Sequence, residues 1–245
     1  KVVFYVKNTI FTCREQKIGG KEREKGLLGS NNAREGILSE YDNIIKSRDE
    51  NAIKELFGFK KFSDCTPYIN DIFISPLMCA IERYDGVAYE YLDFDSLDEK
   101  AKEYLKLNIL IFSNLYGPIL GGDTIANYKV KQGSDIGKFV PDKFYKQRFS
   151  YQLDLYLATS EILDLRAGYY DKFYEFKKPY TTLKFLKEGK VVSHWAKAYR
   201  GLILRAAAQN NIESIENFMH IEIDNLLAKE IIKKGIHTEI RYEIR

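Results

Sequence analysis

Four short apolar runs, each far too brief to cross a membrane, set the fold class of this chain of 245 residues. VVFYV (2–6) reads as a short buried strand of β-branched and aromatic residues. ILDLR (162–166) and KVVSHWA (190–196) look like buried strands as well, and ILIF (109–112) reads as a strand or a buried helix end. Helical patterns interleave irregularly with these runs. The expected architecture is therefore mixed α/β (α+β): one compact domain over 1–245, with a central mixed sheet wrapped by helices. With 45% hydrophobic and 30% charged residues the composition is globular, and Pro (5) and Gly (16) are too few for a linker-rich or fibrous chain.

Local signals place several elements. Helical periodicity dominates from Asn32 to Phe57, with Gly58 as the stop, and again from Asp142 to Leu157 and from about Ala196 to Gln209. Ser75-Pro76 predicts a helix start, and Ser96-Leu97-Asp98-Glu99 predicts a capping box for the helix that follows. The glycine- and charge-rich stretch from Ile18 to Asn32 predicts an exposed loop, and HTEIRYEIR at the end alternates like an edge strand.

Charge and cysteine usage narrow the function classes. The balance of 38 Lys+Arg against 35 Asp+Glu gives a net charge of +3, so a nucleic-acid role must come from local patches. Acids crowd 82–103, whereas 182–205 and 127–148 are basic. Such segregation can present a basic cleft, and equally describes ordinary solvated faces. The opening KVVFYVKNTI lacks the order of a signal peptide, and Cys13, Cys65 and Cys79 are too widely spaced for a disulfide framework; the expected location is the cytoplasm. Walker A, G-x-G-x-x-G and G-x-S-x-G sequences are absent, and no cofactor is expected.

Three constellations carry candidate chemistry. On a helix over 196–209, Lys197 and Arg200 share a face with Arg205 one step round, Gly201 leaves room for a ligand, and Trp195, Tyr199, Leu202 and Ala206 pack inward. LYGPILGGD (115–123) predicts a hairpin in which Tyr116, Gly117, Gly121 and Gly122 expose backbone amides to phosphate, followed by Lys129 and Lys131 on one sheet face. RAGYYDKFYEFKKPY (166–180) interleaves Tyr169, Tyr170, Phe173, Tyr174 and Phe176 with Arg166 and Lys172, a pattern for stacking bases beside phosphate-holding cations or for filling a core. A strand over 220–224 would put His220, Glu222 and Asp224 on one face as a weak metal candidate.

AIERYDGVAYEYL (80–92), IFSNLYGPILGGDTIANYKVKQG (111–133), ILDLRAGYYDKFY (162–174) and HWAKAYRGLILRAAAQNN (194–211) together resemble the peroxide stress protein YaaA family, over most of the chain from Asp71 to Asn211. Ser113, Leu115, Tyr116, Gly117, Asp123, Tyr128, Lys129 and Gly133 match its hairpin block. Lys172 matches a lysine after the strand, and Lys197, Arg200, Gly201 and Leu202 match its late helix. The opening differs: of a Ser-Pro-x-Lys-like turn, Tyr5-Val6-Lys7-Asn8-Thr9 keeps only the threonine, and Gln147 stands where an acid is common. The resemblance implies a cytoplasmic bacterial protein that protects against hydrogen peroxide by limiting iron-linked damage. It also implies a helix-hairpin-helix element and a positively charged cleft that binds DNA.

The leading expectation is thus a DNA-binding stress protein preferring structure over sequence, with no membrane partner. Its contacts would come from the 116–122 hairpin and from Lys129, Lys131, Arg166, Lys172, Lys197, Arg200 and Arg205. The alternatives are a lesion-processing enzyme using Lys197 as Schiff-base amine with Asp123 or Asp164 in proton transfer, or an iron-binding protein.

Overall fold

A computed structural model describes residues 2–7, 33–166, 168–192 and 195–245. In chain order the elements are β1 (Val2–Lys7), α1 (Glu35–Ser47), α2 (Glu50–Phe57), β2 (Leu77–Cys79), α3 (Ala80–Arg83), α4 (Val87–Leu92), α5 (Glu99–Asn108), β3 (Ile109–Ser113) and β4 (Gly117–Leu120). There follow β5 (Thr124–Ala126), α6 (Pro141–Leu157), β6 (Glu161–Leu165), β7 (Tyr180–Lys187), β8 (Lys190–Val191), α7 (Trp195–Gln209), α8 (Ile215–Met219), β9 (Leu226–Lys234) and β10 (His237–Ile244).

The principal sheet has eight strands in the order β4-β3-β1-β6-β7-β10-β9, with β8 attached to β7. Its five central strands are parallel, and β4 and β9 close the two edges antiparallel. A parallel centre needs cover on both faces, which is why β3 is buried along its whole length and β6 at every residue after Glu161. The mixed sheet wrapped by helices is thus the architecture expected. From β1 the chain moves outward to β3 and β4, then returns to β6 on the other side of β1. That reversal makes the carboxyl ends of β3, β1 and β6 the topological switch point, where open α/β sheets form their ligand crevice.

Several local expectations shift. Leu77–Cys79 pair antiparallel with Thr124–Ala126, so strand pairing displaces the start signalled by Ser75-Pro76 and the helix begins at Ala80. The cap of α5 is Asp98, whose carboxylate accepts from the Ala101 N–H at 2.8 Å. Ser96 instead bonds the Asp93 carboxylate within a 3₁₀ turn. Among the described residues of KVVSHWA only Lys190–Val191 is strand, and it is exposed. The end strand β10 lies inside the edge, because β9 pairs along its outer side. The segment 115–123 runs from the β3–β4 turn through β4 into a second turn, so no helix-hairpin-helix is formed there. The turn at Tyr5–Thr9 lies partly, and the predicted loop at 18–32 wholly, outside the described residues. Among the described residues no helix is long and apolar enough to cross a membrane.

Candidate nucleic-acid interface

At the carboxyl end of β3 the backbone turns sharply, and Ser113 makes the turn. Its Oγ accepts from the N–H groups of Leu115 (3.1 Å) and Tyr116 (2.8 Å), which leaves its own hydrogen for the Tyr128 hydroxyl at 2.7 Å. Tyr128 in turn shares a hydrogen bond with Tyr84 at 2.9 Å. The Tyr145 hydroxyl donates to the Leu115 carbonyl, and Arg34 donates to the carbonyls of Tyr116 and Pro118, each at 2.7 Å. Gly117 has φ +67°, and a Cβ there would sit 2.2 Å from the Tyr145 ring. Burial pushes the Tyr84 and Tyr145 phenols well above their ordinary range, so both stay neutral donors.

These contacts change the role expected of the hairpin. Gly121 and Gly122 lie at the opposite end of β4, and their N–H groups donate to the carbonyls of Ile109 (2.9 Å) and Lys106 (3.1 Å). The Asp123 carboxylate accepts from the Leu120 N–H at 2.9 Å. Those amides are spent inside the protein and cannot serve a phosphate as they stand.

The predicted cations divide sharply. Lys129 is buried, its ammonium over the rings of Phe59 (5.3 Å) and Tyr68 (5.7 Å), whereas Lys131 is exposed; 127–131 is not a strand, so the two do not share a face. Arg166 is buried and grips Asp164 with two bonds, Nε to Oδ1 at 2.9 Å and Nη2 to Oδ2 at 3.0 Å. Its Nη1 donates to the carbonyls of Tyr170 (3.1 Å) and Tyr174 (3.0 Å). This fork ties the end of β6 to the following 3₁₀ turn, and it also occupies the Asp164 carboxylate proposed for proton transfer. Arg205 donates to the carbonyls of Leu92 and Asp93, each at 3.0 Å, and so closes the carboxyl end of α4.

Lys197 and Arg200 are half-buried on α7. Burial and the neighbouring Arg200 charge hold the Lys197 ammonium below its ordinary range. Gly201 does not face an open cleft: a Cβ there would lie 2.1 Å from the Ala88 carbonyl oxygen, because α4 packs directly on the α7 backbone. The inward face of α7 matches the one expected only in part: Tyr199 is buried, but Leu202 and Ala206 are half-buried and Trp195 is 47% exposed, whereas Ile203, Leu204, Ala207 and Ala208 are buried.

The aromatics of 166–180 are mostly core. Tyr170, Phe173, Tyr174 and Phe176 are buried, and only Tyr169 reaches the surface in part. They extend a ladder of rings running Phe139–Phe144 (5.1 Å), Phe144–Tyr145 (5.1 Å), Tyr145–Phe173 (6.4 Å) and Phe173–Tyr169 (6.1 Å). Three exposed cations rest on it: Lys138 5.6 Å from Phe139, Arg148 4.6 Å from Phe144, and Lys172 5.2 Å from Tyr169. Their neighbours Lys146 and Lys177 are ion-paired to Glu175 and Asp154. The three over the ladder have no carboxylate partner among the described residues. Lys172 is among the contacts expected from the sequence; Lys138 and Arg148 belong to the basic stretch 127–148 but are not among those contacts, although Lys138-Phe139 and the i, i+4 pair Phe144/Arg148 on one helix face carry the signal.

The metal candidate is not assembled. His220, Glu222 and Asp224 are exposed in the irregular segment after α8 rather than on a strand, and no group of three potential ligands occurs among the described residues.

This is an α/β protein with a parallel-centred sheet, a phenol-lined polar interior at its switch point and an aromatic-backed basic face. The chain belongs to the family described as peroxide stress protein YaaA, whose family model matches residues 21–231. An uncharacterized protein of Campylobacter jejuni is 47% identical over 207 residues, covering 84% of each chain. UPF0246 proteins of Finegoldia magna and Fusobacterium nucleatum are each 28% identical; the matches cover 74% and 76% of this chain, and 78% and 74% of theirs.

Proposed function

We propose that this chain protects cytoplasmic DNA from iron-linked peroxide damage by binding its phosphate backbone. The observation that supports this reading is the set of exposed cations Lys138, Arg148 and Lys172, held over one continuous ring ladder and, among the described residues, without a carboxylate partner. A cation resting on a ring face keeps its N–H groups available to a phosphate, which a cation in a tight carboxylate pair does not. Lys131, Lys197 and Arg200 add contacts where a strand reaches them. Binding follows DNA shape rather than sequence, because these groups sit on phosphate-seeking positions and form no base-reading helix face.

The test is a titration onto duplex, bubble and four-way-junction DNA across a salt series. Submicromolar binding with a log–log salt slope on the order of −4 to −5 is expected for about five phosphates. The triple variant Lys138→Ala, Arg148→Ala, Lys172→Ala should flatten the slope by roughly 3. Absence of binding at low salt, or an unchanged slope in the triple variant, overturns the assignment.

A second reading, chemistry on damaged DNA, draws on the lowered Lys197 ammonium. A neutral amine there would add to the aldehyde carbon of an abasic sugar and release water as the imine forms. Borohydride would reduce that imine to a stable adduct, which Lys197→Ala must abolish; no adduct with the unaltered chain removes this reading.

A further inference from the structure

Tyr151 and Leu155 on α6 are apolar and yet turned to solvent, 70% and 59% exposed. At about 100° per residue they fall within about 60° of Phe144 and Arg148, while Tyr145, Phe149, Leu153 and Leu157 turn into the core. The Arg148 guanidinium lies on the Phe144 ring at 4.6 Å, and Tyr151 follows Arg148 by three residues, which makes the two side chains neighbours on the helix surface. No exposed residue of α6 is an acid. Its two carboxylates, Asp142 and Asp154, are half-buried, and Asp154 is held by Lys177 at 2.6 Å and by the Tyr174 hydroxyl at 2.7 Å. A lone apolar side chain on a surface is ordinary. A solvent-facing ring on an acid-free stripe is different when its neighbour is a guanidinium without a carboxylate partner among the described residues.

The chemistry of this stripe selects its occupant. The cation calls for an anion, and the ring calls for a flat apolar face close to that anion; an unpaired nucleotide carries both. In a duplex each base face is covered by the next base pair, so a ring on a helix surface finds nothing to stack on, whereas a single strand or an opened site offers the face freely. An acidic protein segment would meet the charge, but two exposed apolar side chains supply little of the apolar centre that a stable protein interface needs. We propose that Tyr151 is a base-stacking residue, which makes this face of α6 a site for single-stranded nucleic acid. Arg148 holds a phosphate, and Tyr151 takes the face of the base attached to it. The proposal rests on the phosphate-binding reading for its cations and adds the substrate class. It also moves the stacking role away from 169–174, whose rings are mostly in the core.

The experiment titrates the full chain with an oligothymidylate and with a blunt duplex, for the unaltered protein, Tyr151→Ala and Tyr151→Trp. Tyr151→Ala should lose roughly 5- to 100-fold in single-strand affinity, the range for one stacked base, while duplex affinity stays within about 2-fold. Its log–log salt slope should not change, because no cation is removed. Tyr151→Trp should keep the single-strand affinity and show quenching by oligothymidylate beyond that of Trp195, the single tryptophan of the unaltered chain. No single-strand binding by the unaltered protein, no loss in Tyr151→Ala, equal losses on both DNAs, or no added quenching in Tyr151→Trp overturns the stacking assignment. A change in sedimentation of the free protein on Tyr151→Ala overturns it as well, by showing that the stripe joins two copies of the chain. An unchanged salt slope in the triple cation variant, with Tyr151→Ala still losing single-strand affinity alone, would instead remove the cation reading and leave the ring standing.

Discussion

Gly201 offers a test in which helix propensity and packing predict opposite signs. Replacing a mid-helix glycine by alanine normally stabilises by about 0.5–1 kcal/mol. Here the added Cβ would meet the Ala88 carbonyl oxygen at 2.1 Å, the Leu92 nitrogen at 2.9 Å and the Tyr91 Cβ at 2.9 Å. Two of those atoms are backbone of α4 and cannot swing aside, so the helices must separate. Overpacking of this kind costs about 1–3 kcal/mol, and rigid backbone on the far side puts Gly201→Ala at or beyond the upper end. After the propensity gain the net loss is about 2 kcal/mol, or roughly 4–8 °C in Tm for a chain of this size. The mirror change Ala206→Gly, half-buried on the same helix, should cost about 1 kcal/mol from propensity alone. Thermal and urea unfolding of both variants decide the matter. If Gly201→Ala melts at or above the unaltered protein while Ala206→Gly melts below it, propensity governs both sites and the close approach of α4 to α7 is wrong.

Two further outcomes follow from buried and bridged charges. Arg166→Met leaves the Asp164 carboxylate buried beside two unserved carbonyls, and urea unfolding should show a loss of about 3–5 kcal/mol; a loss below about 1 kcal/mol would mean that water reaches Asp164. Asp71 is held below the usual carboxylate range by the hydrogen bond from Lys46, aided by the Phe73 N–H. The folded chain therefore takes up this proton less readily than the unfolded one. The resulting stability is present above about pH 3.9 and is lost as pH falls through the lowered value. The Tm gap between the unaltered protein and Asp71→Asn should shrink on acidification through that window, and a constant gap would refute the linkage.

The sheet was legible where chemistry was local, and the site was not. ILIF is a continuous apolar run, and ILDL is one but for Asp164, because strands in a parallel centre are buried on both faces, so β3 and β6 could be read directly. KVVSHWA also holds β-branched and aromatic residues, yet its Val191 is 61% exposed in a two-residue strand beside a turn; composition does not reveal how much of a run finds a partner strand. On α7 the 100° wheel placed Tyr199, Leu202 and Ala206 inward, but of these only Tyr199 is buried, and Ile203, Leu204, Ala207 and Ala208 join it. That face was settled by α4, whose backbone needs Gly201, and so Lys197 and Arg200 became half-buried while Arg205 became a cap. Lys129 and Arg166 read as surface cations because nothing in the sequence announces a ring cage or a carbonyl fork assembled from distant segments.

The same packing explains why the segregated charge of the sequence does not become a segregated surface. The acidic run at 82–103 and the basic run at 182–205 meet where α4 lies on α7, and Arg205 reaches Asp93 at 3.6 Å. Within the acidic stretch Lys102 pairs with Glu99 at 3.0 Å, and Lys106, just beyond it, reaches Glu82 at 3.5 Å. On the late helix Arg205 is therefore compensated where its charge arises. The cations at 138, 148 and 172 escape this because aromatic rings, not carboxylates, lie beneath them. A net charge of only +3 is then no obstacle to phosphate binding, since the local field depends on which cations are left uncompensated and not on the sum over the chain.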